Sequence, residues 1–203
     1  WFAKRQPFDS WLVQADDWFN ICDFITIPPT ETPTDRRGRH SRPGFEKFPS
    51  LTNMEKCFPK YAESNVILGA DSLMSEENEH RHWQMIPFRG IDVDKFFEKI
   101  DFMIYFTSPT WRESFGRVLA EAIAAGKIVI SDEQTASSFG GAVISATPNE
   151  VDAVIRDYIL NPEKYRDHVL KAQCQLEKFS AHAFQKFFLN CVIKESEKQV
   201  CYS

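Results

Sequence analysis

Short apolar segments alternate along the chain with longer stretches in which apolar residues recur at helical spacing. The apolar segments predict strands at Cys22–Ile27, Asn65–Ala70, Gln84–Pro87, Phe102–Thr107, Lys127–Ser131 and Ala142–Ser145. The longer stretches predict helices over Ser50–Tyr61, Val93–Ile100, Ser114–Ala125, Asn149–Leu160, Pro162–Phe179 and Ala181–Glu197. Strands separated by helices of this length are typical of βαβ units with a parallel sheet.

Two of these strands indicate how the sheet is covered. The runs FMIYF at Phe102–Phe106 and KIVIS at Lys127–Ser131 are nearly continuous in apolar residues. Strands with helices on both faces have this composition. The sequence therefore predicts an α/β fold with a Rossmann-like, doubly wound parallel sheet, which binds ligands at the carboxyl ends of its strands. Pro28–Pro49 contains five prolines and many polar residues, so it is predicted to be a loop.

Composition narrows the classes of partner. The chain has 203 residues, of which 43% are hydrophobic and 26% charged, which is ordinary for a globular protein. Its net charge of −5 argues against nucleic acid as a partner. A basic cluster stands out against that background, and a solvated loop explains it as well as a binding site does. Its members are Arg36, Arg37, Arg39, Arg42 and Lys47.

Cysteine usage and the chain start bear on the compartment. The five cysteines have no regular spacing, which is typical of reduced thiols in the cytosol and indicates no zinc site. The five histidines do not cluster either, so no metal is expected. With no apolar segment of membrane-spanning length and no signal peptide, the protein is expected to be cytoplasmic. The first residue is Trp rather than Met, so we expect a fragment or a trimmed chain.

The segment from Asp101 to Ser131 has the pattern strand, loop, helix, turn, strand. Its loop delivers free backbone N–H groups at a helix start, which suits a pyrophosphate. Gly116 lets the backbone approach such a ligand closely, and Gly126 stands where a helix C-cap belongs.

Two carboxylates flank this helix start. Glu113 precedes the helix and Glu121 follows eight residues later, so the pair can accept hydrogen bonds from the hydroxyls of a sugar and of a ribose. A purely structural interpretation is also open. The helix dipole would favour a negative charge at Glu113, and Glu121 would simply face solvent. The spacing alone does not decide between them.

The complete segment Arg112–Lys127, RESFGRVLAEAIAAGK, favours a ligand site. It resembles the Glu-x7-Glu motif of the family-four retaining glycosyltransferases, in the C-terminal donor-binding half of their GT-B fold. The resemblance implies that Glu113 binds the transferred sugar and Glu121 the ribose of a nucleoside diphosphate sugar. It also implies that the diphosphate is held along Ser114, Phe115, Gly116, Arg117 and Val118, where Arg117 replaces the commoner apolar residue.

Two further segments resemble the same family. Gly38–Lys47, GRHSRPGFEK, resembles its Gly-Arg followed by Lys, whose cations stabilise the departing diphosphate. Lys47 is the expected lysine, while Arg39 and Arg42 remain alternatives for the arginine. The residues before Gly38 are polar where the family has a buried apolar strand. The segment around Phe88 and Arg89 resembles the one that borders the nucleotide base.

The resemblance implies a division into an irregular N-terminal segment or linker at 1–37, a donor-binding domain at 38–180, and a closing helix and tail at 181–203. That is half of a GT-B enzyme, without the N-terminal acceptor-binding domain, so the isolated chain is expected to be inactive.

The function so implied is hexosyl transfer with retention, without metal or cofactor beyond the donor. Polysaccharide and lipid-linked acceptors, which are common in the family, would place it at the inner membrane face. The alternatives are a nucleotide-sugar epimerase or phosphorylase of the same fold, and a binding or interaction module without activity. The intact pair of glutamates favours an active enzyme.

Overall fold

The computed structural model describes residues 21–74, 80–111, 113 and 115–200. The strands are β1 (Arg36–His40), β2 (Ser64–Leu68), β3 (Gln84–Ile86), β4 (Phe102–Tyr105), β5 (Ile128–Ser131) and β6 (Val143–Ser145). The α-helices are α1 (Leu51–Cys57), α2 (Val93–Phe97), α3 (Arg117–Ala124), α4 (Glu133–Ser137), α5 (Val151–Leu160), α6 (Pro162–Gln175) and α7 (Ala181–Val200). Short 3-10 helices at Phe45–Lys47 and Leu176–Phe179 complete the described elements.

The six strands form one sheet in the order β3-β2-β1-β4-β5-β6, and every neighbouring pair is parallel. This is the strand order of a doubly wound, Rossmann-like sheet, so the predicted fold is confirmed. The order reverses between β1 and β4. The carboxyl ends of those two strands are therefore where such a fold binds its ligand.

Five of the predicted strands are confirmed with slightly shorter bounds, but the predicted strand at Cys22–Ile27 is wrong. That segment has no strand, and the side chain of Ile25 is 91% exposed. The N–H of Ile27 donates to the carbonyl of Ala124 at 2.7 Å, at the end of α3, instead of joining a strand. The β-branched and aromatic residues of this segment favour a strand, but that preference depends on the tertiary context and does not by itself form one.

The predicted loop at Pro28–Pro49 is also wrong over β1, which lies in the middle of the sheet. Arg37 and Arg39 of this strand are each only 1% exposed. On the other face, a Cβ at Gly38 would lie 2.5 Å from Cγ2 of Ile100, so the strand packs there only because it has glycine. A central strand can thus consist of polar residues if each buried charge has its own partners.

Each arginine of β1 has such partners. Arg36 bonds the fully buried carboxylate of Asp101 at 2.8 Å. The guanidinium of Arg37 contacts Asp35 at 2.6 Å and Asp152 at 2.7 Å. Arg39 has no carboxylate partner among the described residues and lies between two aromatic rings instead.

The predicted helices are confirmed, most of them shorter than expected. α3 ends at Ala124 with Ala125 as its C-cap, and Gly126, predicted at the cap, lies one residue beyond it in the left-handed conformation, with φ of 78°. The N–H of Gly126 donates to the carbonyl of Ile123, and the N–H of Lys127 donates to that of Ala122. α4 was not predicted because its sequence, EQTAS, has no apolar stripe. It begins because the Asp132 carboxylate accepts the N–H of Thr135 at 2.9 Å.

Residues 24–177 form one compact unit, which contains the sheet and α1–α6. A second unit includes the described residues 21–23 and 178–200, with α7. Within it, the carboxylate of Asp23 accepts the N–H of Ala181, at the start of α7, at 3.0 Å. The boundaries predicted at residues 38 and 181 stay predictions. None of the described helices combines the length and the apolar character that crossing a membrane requires.

Candidate functional site

A cavity of about 950 Å³ lies at the carboxyl ends of β1 and β4, where the strand order reverses. It is referred to below as the large cavity. Its lining combines the segment after β1, the loop after β3, the loop after β4 and the start of α3. Most of the residues predicted for the site line it, namely Arg42, Lys47, Phe88, Arg89, Glu113, Gly116, Arg117, Val118 and Glu121.

Two of the described residues predicted for the site, Phe115 and Arg39, do not belong to that lining. The ring of Phe115 stacks on Phe139, with ring centres 5.8 Å apart. Arg39 lies buried behind the cavity wall. Ser114 lies outside the described residues, as does Arg112 at the start of the motif.

Glu113 lies in the loop before α3, as expected, and interacts with two side chains from other elements. Its carboxylate accepts a hydrogen bond from the Tyr105 hydroxyl at 2.8 Å. The same oxygen contacts Nζ of Lys47 at 3.3 Å, and both side chains of this ion pair are less than one-fifth exposed, at 15% and 17%. Nζ of Lys47 also lies 4.0 Å from the ring centre of Trp111. The groups predicted to meet sugar and diphosphate are therefore adjacent.

The 3-10 helix that carries Lys47 is tied to the loop after β4. The N–H of Ser108 donates to the carbonyl of Glu46 at 3.2 Å, next to Lys47 in the chain. This bond joins the two segments that supply the cation and the carboxylate. Their proximity follows from the parallel pairing of β1 with β4, because both strands end at the same edge of the sheet.

Tyr105 and Trp111 were not predicted from the sequence, although both contribute to the site. Burial raises the pKa of the Tyr105 hydroxyl, so this group stays protonated and acts as a donor to Glu113. The indication available from the sequence was a tyrosine at the end of an otherwise apolar strand, since a buried tyrosine hydroxyl usually has a partner. Trp111 is 37% exposed and lines the large cavity from the loop.

The two arginines that the sequence left as alternatives are placed differently. Arg42 is exposed and lines the large cavity. The guanidinium of Arg39 lies 4.9 Å from the Phe48 ring centre and 4.5 Å from that of Tyr105, and it donates to the carbonyl of Lys47. Burial lowers the pKa of Arg39 to about 10, which leaves it cationic at neutral pH. Arg39 thus contacts two residues of the site, Tyr105 and Lys47, from the buried side.

The start of α3, at Gly116, lines the large cavity. Gly116 is the N-cap in the left-handed conformation, with φ of 81°, which favours glycine. A Cβ there would also lie 3.0 Å from Cδ1 of Leu119 and 3.4 Å from Cγ of Glu113. In the next turn Glu121 pairs with Arg117 at 2.9 Å, so this carboxylate is held at the cavity by its own helix.

The remaining wall of the large cavity comes from the ends of β1 and β3. Burial lowers the pKa of His40 to about 4, so its ring is neutral at pH 7. The N–H of Phe88 donates to the Asp71 carboxylate at 2.7 Å, which fixes the loop after β3. Arg89 in that loop has φ of 63°, an uncommon conformation for a residue with a side chain.

In the part of the chain that the structure describes, no three His, Cys, Asp or Glu side chains are grouped to hold a metal ion. Independence of metal and cofactor stays a prediction, because this finding concerns side-chain grouping and not the reaction.

No model of a known protein family matches this sequence, and no curated protein matches it. Solved structures match its fold. Alr3699/HepE of Anabaena, crystallised with UDP, matches with a TM-score of 0.62 at 18% identity, over 79% of this chain and 49% of that chain. The pneumococcal O-GlcNAc transferase GtfA, in complex with UDP and GlcNAc, matches with a TM-score of 0.55 at 17% identity, over 86% and 38%.

A third match is a single domain. The C-terminal domain of the glycosyl transferase group 1 family protein LpcC from Francisella tularensis has a TM-score of 0.54 at 13% identity, over 74% of this chain and 89% of that one. By contrast, this chain spans about half the length of the HepE chain, 49%. The six-stranded parallel sheet thus has the Rossmann-like fold of GT-B glycosyltransferase domains.

Proposed function

We propose that this chain binds a nucleoside diphosphate sugar in the large cavity and acts as the donor-binding domain of a retaining glycosyltransferase. The observation that carries the proposal is the meeting of Lys47, Glu113 and the start of α3 at the switch point of the sheet. The complexes of HepE with UDP and with UDP-glucose support it, because those proteins share this fold.

The diphosphate would lie between two cations and the start of α3. Lys47 supplies a compact charge and Arg42 a guanidinium that can bond two phosphate oxygens. The first turn of α3 adds N–H groups that have no partner inside the helix, and Gly116 allows the ligand to approach them.

The two carboxylates would bind the two sets of hydroxyl groups on the donor. Glu113 is the group for the transferred sugar, and the Tyr105 hydroxyl fixes the direction of its carboxylate. Glu121, held by Arg117, is the group for the ribose. Phe88 and Arg89 would border the base from the loop after β3.

The chemistry that follows is electrostatic. As the bond between sugar and diphosphate breaks, Lys47, Arg42 and the start of α3 stabilise the charge that develops on the leaving group. Glu113 holds the sugar while the acceptor attacks from the side of the departing phosphate, which accepts the proton of the acceptor hydroxyl. Because the chain spans about half of the HepE length, we propose that transfer also needs a second domain that supplies further acceptor contacts, and that this chain alone binds donor without transferring it.

The test is ligand binding by the chain itself. UDP, GDP, ADP and their glucose conjugates are screened by thermal unfolding, since a ligand that binds only the folded state raises its stability by about 2.7 kcal/mol at a hundred times its Kd. At least one nucleotide should stabilise the chain. Lys47→Ala should weaken its binding about tenfold or more, by analogy with other charged contacts. Glu133→Ala is the control, because Glu133 is exposed and does not line the cavity.

Two results would contradict the proposal. Absence of stabilisation by every nucleotide would favour an interaction module instead of a donor site. Unchanged nucleotide affinity in Lys47→Ala would show that the ligand lies elsewhere. Conversion of a nucleotide sugar to its epimer without any acceptor would instead favour the epimerase alternative.

A further inference from the structure

A second, smaller cavity of about 270 Å³ lies beside the large one. The two share Trp111 and Glu113, which line both. The small cavity is formed where β4 and β5 end, from Thr107 in the loop after β4 and from Asp132 and Gln134 at the start of α4. Asn53 of α1 lines it as well.

The lining of the small cavity is polar and suits a neutral ligand. Within the described part of the chain, the side chains of Asn53, Thr107 and Gln134 make no hydrogen bond, so two amides and a hydroxyl are available to a ligand. The carboxylate of Asp132 is already used, because it accepts both the N–H and the hydroxyl of Thr135. No lysine or arginine stands among the described residues that line this cavity.

An aromatic side chain adds an apolar surface to these polar groups. Trp111 is 37% exposed, and the small cavity also meets the apolar faces of Phe106 and Pro148. A ligand with several hydroxyl groups and an apolar C–H face matches this combination, and a pyranose ring has both. The volume lies just below the range of about 300 to 1,000 Å³ that is usual for drug-sized ligands, so it suits a single ring.

We propose that the small cavity binds a pyranose ring of the acceptor. This assignment rests on the function proposed above, because Glu113 would hold the transferred sugar at the boundary between the two cavities. A ring in the small cavity would then lie next to the transferred sugar, which is where an acceptor must be. The cations expected to bind the donor diphosphate, Arg42 and Lys47, line only the large cavity.

The proposal is tested with methyl glycosides of glucose, galactose and N-acetylglucosamine, whose binding to the chain is measured by NMR with and without saturating UDP. At least one glycoside should bind with a Kd of roughly 1 to 10 mM, in the range of weak single-site ligands. Asn53→Leu should weaken that binding about tenfold or more, because it fills the cavity and removes a hydrogen-bonding amide. Thr107→Val should weaken it about threefold to tenfold, because it removes only the hydroxyl.

Thr52→Leu is the matched control, because Thr52 is the exposed neighbour of Asn53 on α1 and does not line the cavity. This variant should bind the glycoside normally. The backbone N–H of Asn53, which donates to the Ser50 hydroxyl at the helix start, remains in Asn53→Leu, so the helix cap is kept. UDP affinity should not differ between the two variants.

Three results would overturn the acceptor site. One is that none of the glycosides binds. Another is equal glycoside binding by Asn53→Leu and Thr52→Leu. The third is that Asn53→Leu weakens UDP-glucose but not UDP, since the small cavity would then hold the sugar of the donor. If UDP fails to bind while a glycoside still binds in an Asn53-dependent way, the proposed donor function fails and the sugar site remains.

Discussion

At the scale of single residues, the candidate site depends on how one carboxylate is held. Glu113 accepts hydrogen bonds from the Tyr105 hydroxyl and from Lys47. If a diphosphate attracts Lys47, the ion pair with Glu113 weakens, whereas the bond from the tyrosine remains. Under the proposed function, Tyr105 would therefore orient Glu113 toward the sugar in the bound state as well as in the free state.

The replacement Tyr105→Phe tests this role. We expect it to weaken the binding of a nucleoside diphosphate sugar by about three- to tenfold, the effect of one lost hydrogen bond. Binding of the nucleoside diphosphate without the sugar should stay the same, because the hydroxyl bonds only Glu113 among the described residues. Calorimetry with both ligands measures the difference.

The control is Tyr158→Phe, which removes a hydroxyl that contacts Nδ1 of His168 instead of Glu113. It should leave both affinities unchanged. Equal loss for the two ligands in Tyr105→Phe would mean that the hydroxyl supports the whole cavity and does not orient the sugar-binding carboxylate.

The predictable part of the site is the part encoded in one continuous segment. Glu113, Gly116 and Glu121 lie within sixteen successive residues, so their loop and helix positions followed from local pattern. The different positions of Arg39 and Arg42 depend on where β1 ends, because Arg39 is buried within the strand and Arg42, beyond its end, reaches the cavity. The number of residues between either arginine and Lys47 does not reveal where β1 ends.

At the scale of elements, β1 shows what hydrophobic patterning cannot detect. The five strands that the structure confirms were predicted because most of their side chains are apolar and pack on the helices. The sequence of β1, RRGRH, is buried through individual ion pairs, aromatic contacts and a glycine. Such partners lie up to 115 residues away, as Asp152 does from Arg37, and only the tertiary structure identifies them.

Arg37 and Arg39 provide a matched pair on this strand, since both are 1% exposed and lie two residues apart. We expect Arg37→Met to lower the free energy of unfolding by about 2 to 4 kcal/mol, because Asp35 and Asp152 lose their common partner. Both carboxylates keep some contact with water, so the loss should lie toward the lower value. Urea denaturation measures it.

For Arg39→Met we expect a change within about 1 kcal/mol, because the lost hydrogen bond to the Lys47 carbonyl is offset by removing a buried charge that has no carboxylate partner among the described residues. The methionine side chain can occupy the space between Phe48 and Tyr105. Equal destabilisation by the two replacements would show that burial, and not ion pairing, decides the contribution of these arginines.

At the scale of the whole molecule, the large cavity contains several positive charges although the chain as a whole is negative. The chain has a net charge of −5, yet among the described residues four cationic side chains line the large cavity, namely Arg42, Lys47, Arg89 and Arg117. Three acidic side chains accompany them, namely Asp92, Glu113 and Glu121. An anionic ligand is therefore repelled by the molecule at long range and attracted only close to the cavity.

This arrangement predicts that salt weakens ligand binding in the large cavity and not in the small one. Raising the ionic strength from about 0.1 M to 1 M shortens the Debye length from about 10 Å to 3 Å, so exposed charges such as Arg42 contribute less to binding. Calorimetry should show that the affinity for UDP falls several-fold over this range, while NMR shows that the affinity for a neutral methyl glycoside does not change. Lys47→Gln should reduce the salt dependence of UDP binding, because one of the attracting charges is already absent. An affinity for UDP that is independent of salt would mean that hydrogen bonds to neutral groups, such as the start of α3, hold the nucleotide, and that the cations of the large cavity have another role.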